Sequence, residues 1–142
     1  MKETKPITGA DNYTAVNFGK LNEIQDYVLQ LPAGVSIPGK VFGGQSVNAT
    51  GAEFSFQSLA PGQGGLLHTH KTHEELYFFL GGDGEFQVDN DIFPVTEGSV
   101  VRVAPSAKRT LRNNSDKPLL MLCVQYRADT FTAEDALDGV IL

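Results

Sequence analysis

The sequence contains one cysteine, no tryptophan and no long apolar run. Because Cys123 is the only cysteine, an intrachain disulfide is excluded. We expect this residue, which lies in the apolar run of residues 119–124, to be a small core side chain rather than a reactive thiol. No stretch approaches the roughly 20 apolar residues that a membrane-spanning helix needs, and residues 1–14 lack the apolar core of a signal peptide. We therefore expect a cytoplasmic protein without a membrane partner.

Basic residues are also scarce. The chain of 142 residues has 11 Lys and Arg against 17 Asp and Glu, which leaves a formal charge of −6. A surface of that sign does not attract a phosphate backbone, so nucleic acid is not an expected partner.

Short apolar runs separated by turn residues fill the chain from Tyr27 onwards, and no long 3.6-residue pattern interrupts them. This pattern predicts an all-β fold, either a sandwich or a barrel. Residues 1–14 are polar and lack periodicity, so we expect a flexible N-terminal arm followed by a single domain over residues 15–142. Thr132 is predicted to cap a short C-terminal helix, and the alternative is a terminal segment that lies across a neighbouring subunit.

All three histidines fall between positions 68 and 73. His68 and His70 are two residues apart, so on a strand both imidazoles leave the same face. Glu74 and Glu75 follow and begin the next apolar strand, which directs one of the two carboxylates towards the histidines if the strands are neighbours. Two neutral imidazoles and a carboxylate suit iron, manganese, nickel or zinc better than calcium or magnesium. The alternative is that these side chains only form the polar edge of a strand.

Here the sequence resembles the cupin superfamily, in particular the small single-domain (type 2) cupins. The spacing Gly62-x5-His68-x-His70-x4-Glu75-x6-Gly82 matches the first cupin motif, a glycine followed by two histidines, a glutamate and a glycine. The resemblance implies a double-stranded β-helix, which is a jelly-roll-like barrel. It also implies His68, His70 and Glu75 as ligands of a divalent transition metal. His73 and Glu74 lie outside the ligand positions, with Glu74 facing outward into solvent or towards a cation.

The second cupin motif is matched less completely. Gly98, Pro105 and Asn114 fit it with one extra residue after the glycine, and Ala107 stands where glycine is usual. Thr110 occupies the position of the fourth ligand, a histidine in the family. The resemblance, which covers residues 53–126, thus implies a 2-His-1-carboxylate site with open coordination positions. Such a site can be catalytic, or it can have decayed into a metal-free binding barrel.

Residues that alternate with these positions are candidates for a substrate pocket. Side chains two residues apart on a strand lie on the same face, so Tyr77 and Phe79 share a face with Glu75. By the same alternation, Arg112 is directed inward together with Thr110. Arg112 is either an anchor for a carboxylate or phosphate or a surface arginine. A weaker candidate is Gln57. The remaining aromatic residues are expected in the core or in a homodimer interface: Phe54, Phe56, Phe78 and Phe86.

Two functions remain open on these grounds. The first is a small metal-dependent enzyme, and the related cupins include dioxygenases, isomerases and decarboxylases. The second is a non-enzymatic barrel that binds a small acid or sugar with weak or no metal. Because one fold supports many chemistries, the sequence does not name the substrate, the reaction or the metal.

Overall fold

The computed structural model describes residues 2–142, and short β-strands dominate it, as the apolar pattern predicts. The strands are β1 (Lys5–Ala10), β2 (Tyr13–Asn17), β3 (Val28–Gln30), β4 (Ser36–Pro38), β5 (Lys40–Phe42), β6 (Glu53–Leu59), β7 (His73–Gly81), β8 (Asp83–Val88), β9 (Asp91–Thr96), β10 (Val100–Val103), β11 (Arg109–Arg112) and β12 (Leu119–Arg127). Short 3₁₀ turns lie at Leu21–Asp26, Pro32–Gly34, Gln45–Val47 and Asp135–Leu137. Within residues 2–142, no helix is both long enough and apolar enough to cross a bilayer.

Two antiparallel sheets enclose the core. The larger has the strand order β10-β7-β12-β6-β5, and the smaller has the order β11-β8-β9. Along β7, Glu75, Tyr77 and Phe79 are buried while their neighbours are less so, which is the period-2 pattern of a strand with one covered face. Both sheets contribute to one buried cluster: Leu59, Tyr77, Phe79, Phe86, Val95, Val103, Leu111, Leu119, Met121 and Cys123.

Gly82 shows why the first motif ends on a glycine. Its φ of +84° lies in the left-handed region, where side chains are disfavoured. A Cβ atom at this position would also come within 2.3 Å of the carbonyl oxygen of Pro118. The turn between β7 and β8 therefore packs against the start of β12 only if the residue has no side chain.

The histidine segment is not a regular strand, and its backbone pairs with β11. It forms isolated bridges with the smaller sheet, at Gly64 with Arg112 and at His68 with Arg109. The amide of His68 donates to the carbonyl of Arg109 at 3.1 Å, and the reverse bond measures 2.9 Å. The sequence analysis left open whether the histidines lie beside the strand of Glu75, and in the structure the backbone of the segment pairs with β11.

Both chain ends differ from the predictions. Residues 2–14 are not an unstructured arm, since β1 and β2 form a hairpin with Ala10 opposite Tyr13. The two residues between them, Asp11 and Asn12, are a turn signal that sequence analysis overlooked. At the other end, the predicted helix is a single 3₁₀ turn, Asp135–Leu137. Its entry is held by the carboxylate of Asp135, which accepts from the amide of Thr132 at 2.6 Å, and not by the Thr132 hydroxyl.

Candidate metal centre

The structure brings His68, His70 and Glu75 together. Nε2 of His70 lies 3.1 Å from Oε1 of Glu75, and Nε2 of His68 lies 3.5 Å from the same oxygen. Each residue offers one potential ligand atom, and these atoms all lie within 4.8 Å of one another. This is the spacing in which two imidazoles and one carboxylate can share an ion.

The hydrogen bonds of the two imidazoles fit such an ion. Nδ1 of His68 lies 2.9 Å from the carbonyl oxygen of Leu66, which can only accept, so Nδ1 carries a hydrogen and Nε2 is left for another partner. Nε2 of His70 is buried and lies 3.1 Å from Oε1 of Glu75, but the two atoms do not have hydrogen-bond geometry, so this nitrogen has no hydrogen-bond partner. Burial lowers the pKa of His70 and outweighs the opposite effect of Glu75, which favours the neutral form that binds metals. A cation between these nitrogens and Glu75 would satisfy all three groups.

Glu75 is held as a carboxylate by its neighbours. Tyr77 donates to Oε1 at 2.8 Å, and the Cys123 thiol donates to Oε2 at 3.1 Å. Burial alone would raise the pKa of Glu75, but the contacts with His68, Cys123, Tyr77 and His70 outweigh it and lower the pKa to about 2. The group is therefore ionised at neutral pH, as a ligand must be.

Cys123 and Tyr77 both keep their hydrogens at neutral pH. Burial raises the pKa of the Cys123 thiol, and the nearby Glu75 raises it further. Burial likewise raises the pKa of the Tyr77 hydroxyl. The prediction that Cys123 is a buried side chain without a lowered pKa is confirmed, and its contact with Glu75 is a role that the sequence did not indicate.

The predicted substrate-pocket residues Thr110 and Arg112 do not line the cavity that adjoins His68, His70 and Glu75. They line a second cavity together with Gly64, Glu85 and Gln87. On β11 the buried side chains are Arg109 and Leu111, whereas Thr110 is half-buried and Arg112 is exposed. Oγ1 of Thr110 donates to the carbonyl of Gly65 at 3.0 Å. Because strand side chains alternate, a register error of one residue moves each of them to the opposite face.

Asn113 offers a second alignment of the motif, displaced by one residue. It is fully buried, and its Nδ2 donates to the carbonyl oxygens of Leu59 at 2.9 Å and Lys117 at 2.6 Å, which fixes the loop before β12. Asn114, the residue chosen from the sequence, is exposed. If Asn113 is the asparagine of the second motif, the fourth-ligand position moves from Thr110 to Arg109.

Arg109 is a buried cation beside the three candidate ligands. Its side chain is fully buried, and the guanidinium donates to the carbonyls of Ala104 at 2.9 Å and Pro105 at 3.3 Å. Its Nε lies 3.4 Å from Oε1 of Glu75. A guanidinium stays protonated and has no lone pair to offer a metal. Arg109 therefore balances the charge of Glu75 without acting as a ligand.

A cavity of about 380 Å³ adjoins the three candidate ligands. Of the predicted pocket residues, Gln57 and Tyr77 line it, whereas Phe79 does not. Phe79 instead packs in the core against Phe86, with ring centroids 6.2 Å apart, because it lies deeper along β7. Apolar side chains form much of the rest of the lining: Leu29, Leu31, Val35, Ile37, Pro38, Phe42, Leu66 and Leu111.

His73 and Glu74 both lie outside the group of three. Nδ1 of His73 is 2.9 Å from Oε1 of Gln125, and its ring stacks on that of His70 with centroids 6.0 Å apart. Glu74 faces outward, as expected, and pairs with Arg102 at 2.6 Å. Neither residue therefore competes for the position between His68, His70 and Glu75.

Comparisons with known proteins agree with this architecture. The family model for the cupin domain matches residues 55–125, which is half of the chain. The crystal structure of a cupin protein from Bacteroides fragilis is 32% identical with a TM-score of 0.68, and the match covers 80% of this chain and 97% of that one. A cupin 2 conserved barrel domain protein from Salinispora arenicola is 26% identical with a TM-score of 0.52, and the match covers 56% of this chain and 66% of that one.

A curated relative adds a more local similarity. An uncharacterised protein of Methanocaldococcus jannaschii is 38% identical over 61 residues, which make up 43% of this chain and 49% of that relative. The match thus spans about half the length of the relative. The structural similarity to the Bacteroides fragilis protein confirms the predicted double-stranded β-helix class. With half of its residues matched by the family model and a structural relative matched over most of both chains, this protein belongs to the cupin family.

Proposed function

We propose that this cupin binds one divalent transition metal through His68, His70 and Glu75 and acts on a small organic molecule in the adjoining cavity. The observation that carries the proposal is the convergence of these three side chains at the cavity. Within this group, the buried Nε2 of His70 has no hydrogen-bond partner and so is available to a metal. With only three protein ligands, coordination positions remain open to a substrate.

The chain supplies position and environment for this chemistry. When bound, iron, manganese, nickel or zinc would act as a Lewis acid on a substrate oxygen. Tyr77 and Cys123 hold the two carboxylate oxygens of Glu75, which fixes the direction of that ligand. The apolar lining limits the water around the reacting group. Because the Tyr77 hydroxyl already donates to Glu75, we assign it a positioning role and not that of a proton donor to substrate.

The reaction class is proposed only as far as these residues support it. A metal-dependent small-molecule enzyme of the dioxygenase, isomerase or decarboxylase kind fits the donor set. The second candidate is a non-enzymatic barrel for a small ligand, and Arg109 favours it. A guanidinium 3.4 Å from Glu75 already balances that carboxylate, which weakens its attraction for a metal.

We also propose a homodimer. The outward-facing residues of β7 and β12 include Leu76, Phe78 and Leu122, and Phe78 and Leu122 are opposite each other across the two strands. An apolar sheet face of this kind is often covered by a second subunit. Size-exclusion chromatography with light scattering distinguishes this arrangement from a monomer.

The accessibility of the metal from the cavity can be tested on cobalt-loaded protein. We expect acetohydroxamate, a small chelating probe, to change the visible spectrum of cobalt bound to the wild type. Leu29→Trp should retain cobalt but bind the probe about tenfold more weakly, because Leu29 lines the cavity and an indole would fill part of it. Leu21→Trp is the matched control, since Leu21 is exposed and does not line the cavity.

The outcomes separate the two parts of the proposal. A wild type that holds cobalt but shows no spectral response to saturating probe would mean that the metal has no position open to the cavity. A wild type that retains no cobalt would favour the non-enzymatic candidate. Equal probe binding by both tryptophan variants would contradict entry through the cavity.

A further inference from the structure

Lys40 is a cation on the inner face of the barrel. It lies on β5 directly opposite Gln57 on β6, and both residues line the cavity. The next residue, Val41, lies opposite Phe56 and so takes the other face, while Phe42 returns to the cavity. The register of this sheet edge therefore directs Lys40 towards the same space that the candidate ligands line.

The ammonium group of Lys40 has no carboxylate partner. Among residues 2–142, no acidic side chain lies within the 4.0 Å that defines an ion pair with it. Its nearest described aromatic contact is the ring of Phe42, whose centroid is 5.8 Å from Nζ. Lys40 as a residue is half-buried, and its ammonium makes only a weak cation–π contact. An anionic ligand would give this ammonium the partner of opposite charge that residues 2–142 do not supply.

The charges of the cavity favour an anion although the whole chain is acidic. The one carboxylate that lines it, Glu75, is already in contact with Arg109, Tyr77 and Cys123. Lys40 is the other lining residue with a permanent charge. The cavity therefore carries an uncompensated positive charge in a protein whose formal charge is −6.

The side chains that line the cavity near Lys40 indicate the chemistry of the remaining part of the ligand. Leu29 and Ile37 are opposite each other on the β3–β4 hairpin, and both line the cavity together with Leu31 and Leu66. A sugar needs hydrogen-bond partners around its ring, and this side of the cavity offers aliphatic side chains instead. A phosphate, with up to two charges, suits several donors better than one lysine. A carboxylate on an apolar body matches both features.

We propose that Lys40 determines specificity by pairing with the carboxylate of a small organic acid whose apolar part packs against the β3–β4 hairpin. The proposal rests on the cavity assigned above as the ligand site and narrows its ligand to one chemical class. It also replaces Arg112, the residue that the sequence suggested as an anion anchor and that the structure leaves exposed.

Isothermal titration calorimetry on the full chain tests this directly. The probes are hexanoate, 3-phenylpropionate and benzoate, each compared with its neutral amide, on protein treated with EDTA and on zinc-loaded protein. For at least one pair we expect the acid to bind the EDTA-treated wild type about tenfold more tightly than the amide. Lys40→Met should abolish this preference, whereas Lys40→Arg should retain it because it keeps the charge. Lys5→Met is the control, since Lys5 is exposed and does not line the cavity.

Failure of this inference is distinguishable from failure of the proposed metal site. An acid preference that appears only with zinc and survives in Lys40→Met would assign the carboxylate to the metal, which overturns the role of Lys40 and leaves the metal site intact. If no acid binds more tightly than its amide in either form, the ligand class is wrong. A preference lost equally in Lys40→Met and Lys40→Arg, with both variants folded by circular dichroism, would also overturn it, because charge would not be the property that matters.

Discussion

Replacing His70 by alanine is expected to lower the affinity of the chain for zinc by roughly 100-fold. The substitution removes one of two imidazoles from a site with only three protein ligands. It also removes the buried Nε2 that lacks a hydrogen-bond partner, so the fold loses no hydrogen bond from that atom. Competition with a chromophoric chelator measures the change in affinity.

His73→Ala is the matched control for this experiment. Its ring lies next to that of His70, with centroids 6.0 Å apart, but its Nδ1 contacts Gln125 and it is not one of the three converging residues. We expect this variant to bind zinc like the wild type. Equal loss of zinc in the two variants would contradict a site that excludes His73. Loss in His73→Ala with an unchanged affinity in His70→Ala would show that the site was assigned to the wrong histidine.

Replacing Arg109 by histidine is expected to increase zinc affinity by about 10- to 100-fold. The substitution removes a cation that lies 3.4 Å from Glu75 and offers an imidazole from the inner face of β11. Thr110→His is the matched control, because Thr110 donates to the carbonyl of Gly65 and does not line the cavity. The same chelator competition measures both affinities.

The contribution of charge can be separated from that of the new ligand. Arg109→Met removes the guanidinium but offers no lone pair to the metal, so it should increase affinity less than Arg109→His. Thermal unfolding of each variant shows whether it is folded, since the guanidinium also holds the carbonyls of Ala104 and Pro105. An increase with Thr110→His but not with Arg109→His would restore the register predicted from the sequence.

The first motif could be predicted well because it is local. His68, His70 and Glu75 fall within eight residues of each other, so few arrangements of the backbone keep their side chains apart. The sequence did not, however, determine which strand lies beside the histidine segment. Which strand a segment pairs with depends on contacts distant in the chain, here His68 with Arg109, and period-2 patterns do not encode them.

The alignment of the second motif is open by one residue because the sequence offers two asparagines in a row. Asn113 and Asn114 fit a spacing rule almost equally, and only burial tells them apart. Arg109 was not predicted as a site residue, because a fully buried arginine is rare. No residue near it in sequence indicates its contact with Glu75. Counting in steps of two from a buried residue such as Leu111 would have placed the side chain of Arg109 on the inner face of β11.

Lys40 was missed for a different reason. It lies on a strand of three residues, far in sequence from both motifs, and only the pairing of Lys40 with Gln57 brings it to the cavity. Short edge strands of this kind carry too few residues for a periodic signal. The proposed specificity residue is therefore harder to predict from sequence than the proposed metal ligands are.

X-ray absorption spectroscopy at the zinc edge of the zinc-loaded wild type tests the central claim most directly, because it reports the atoms bound to the metal. We predict a spectrum with two imidazole ligands at about 2.0–2.1 Å and oxygen ligands at a similar distance. A sulfur ligand at about 2.3 Å would place zinc on Cys123 instead. A spectrum that contains oxygen ligands alone, without imidazole scattering, would contradict a site formed by His68, His70 and Glu75.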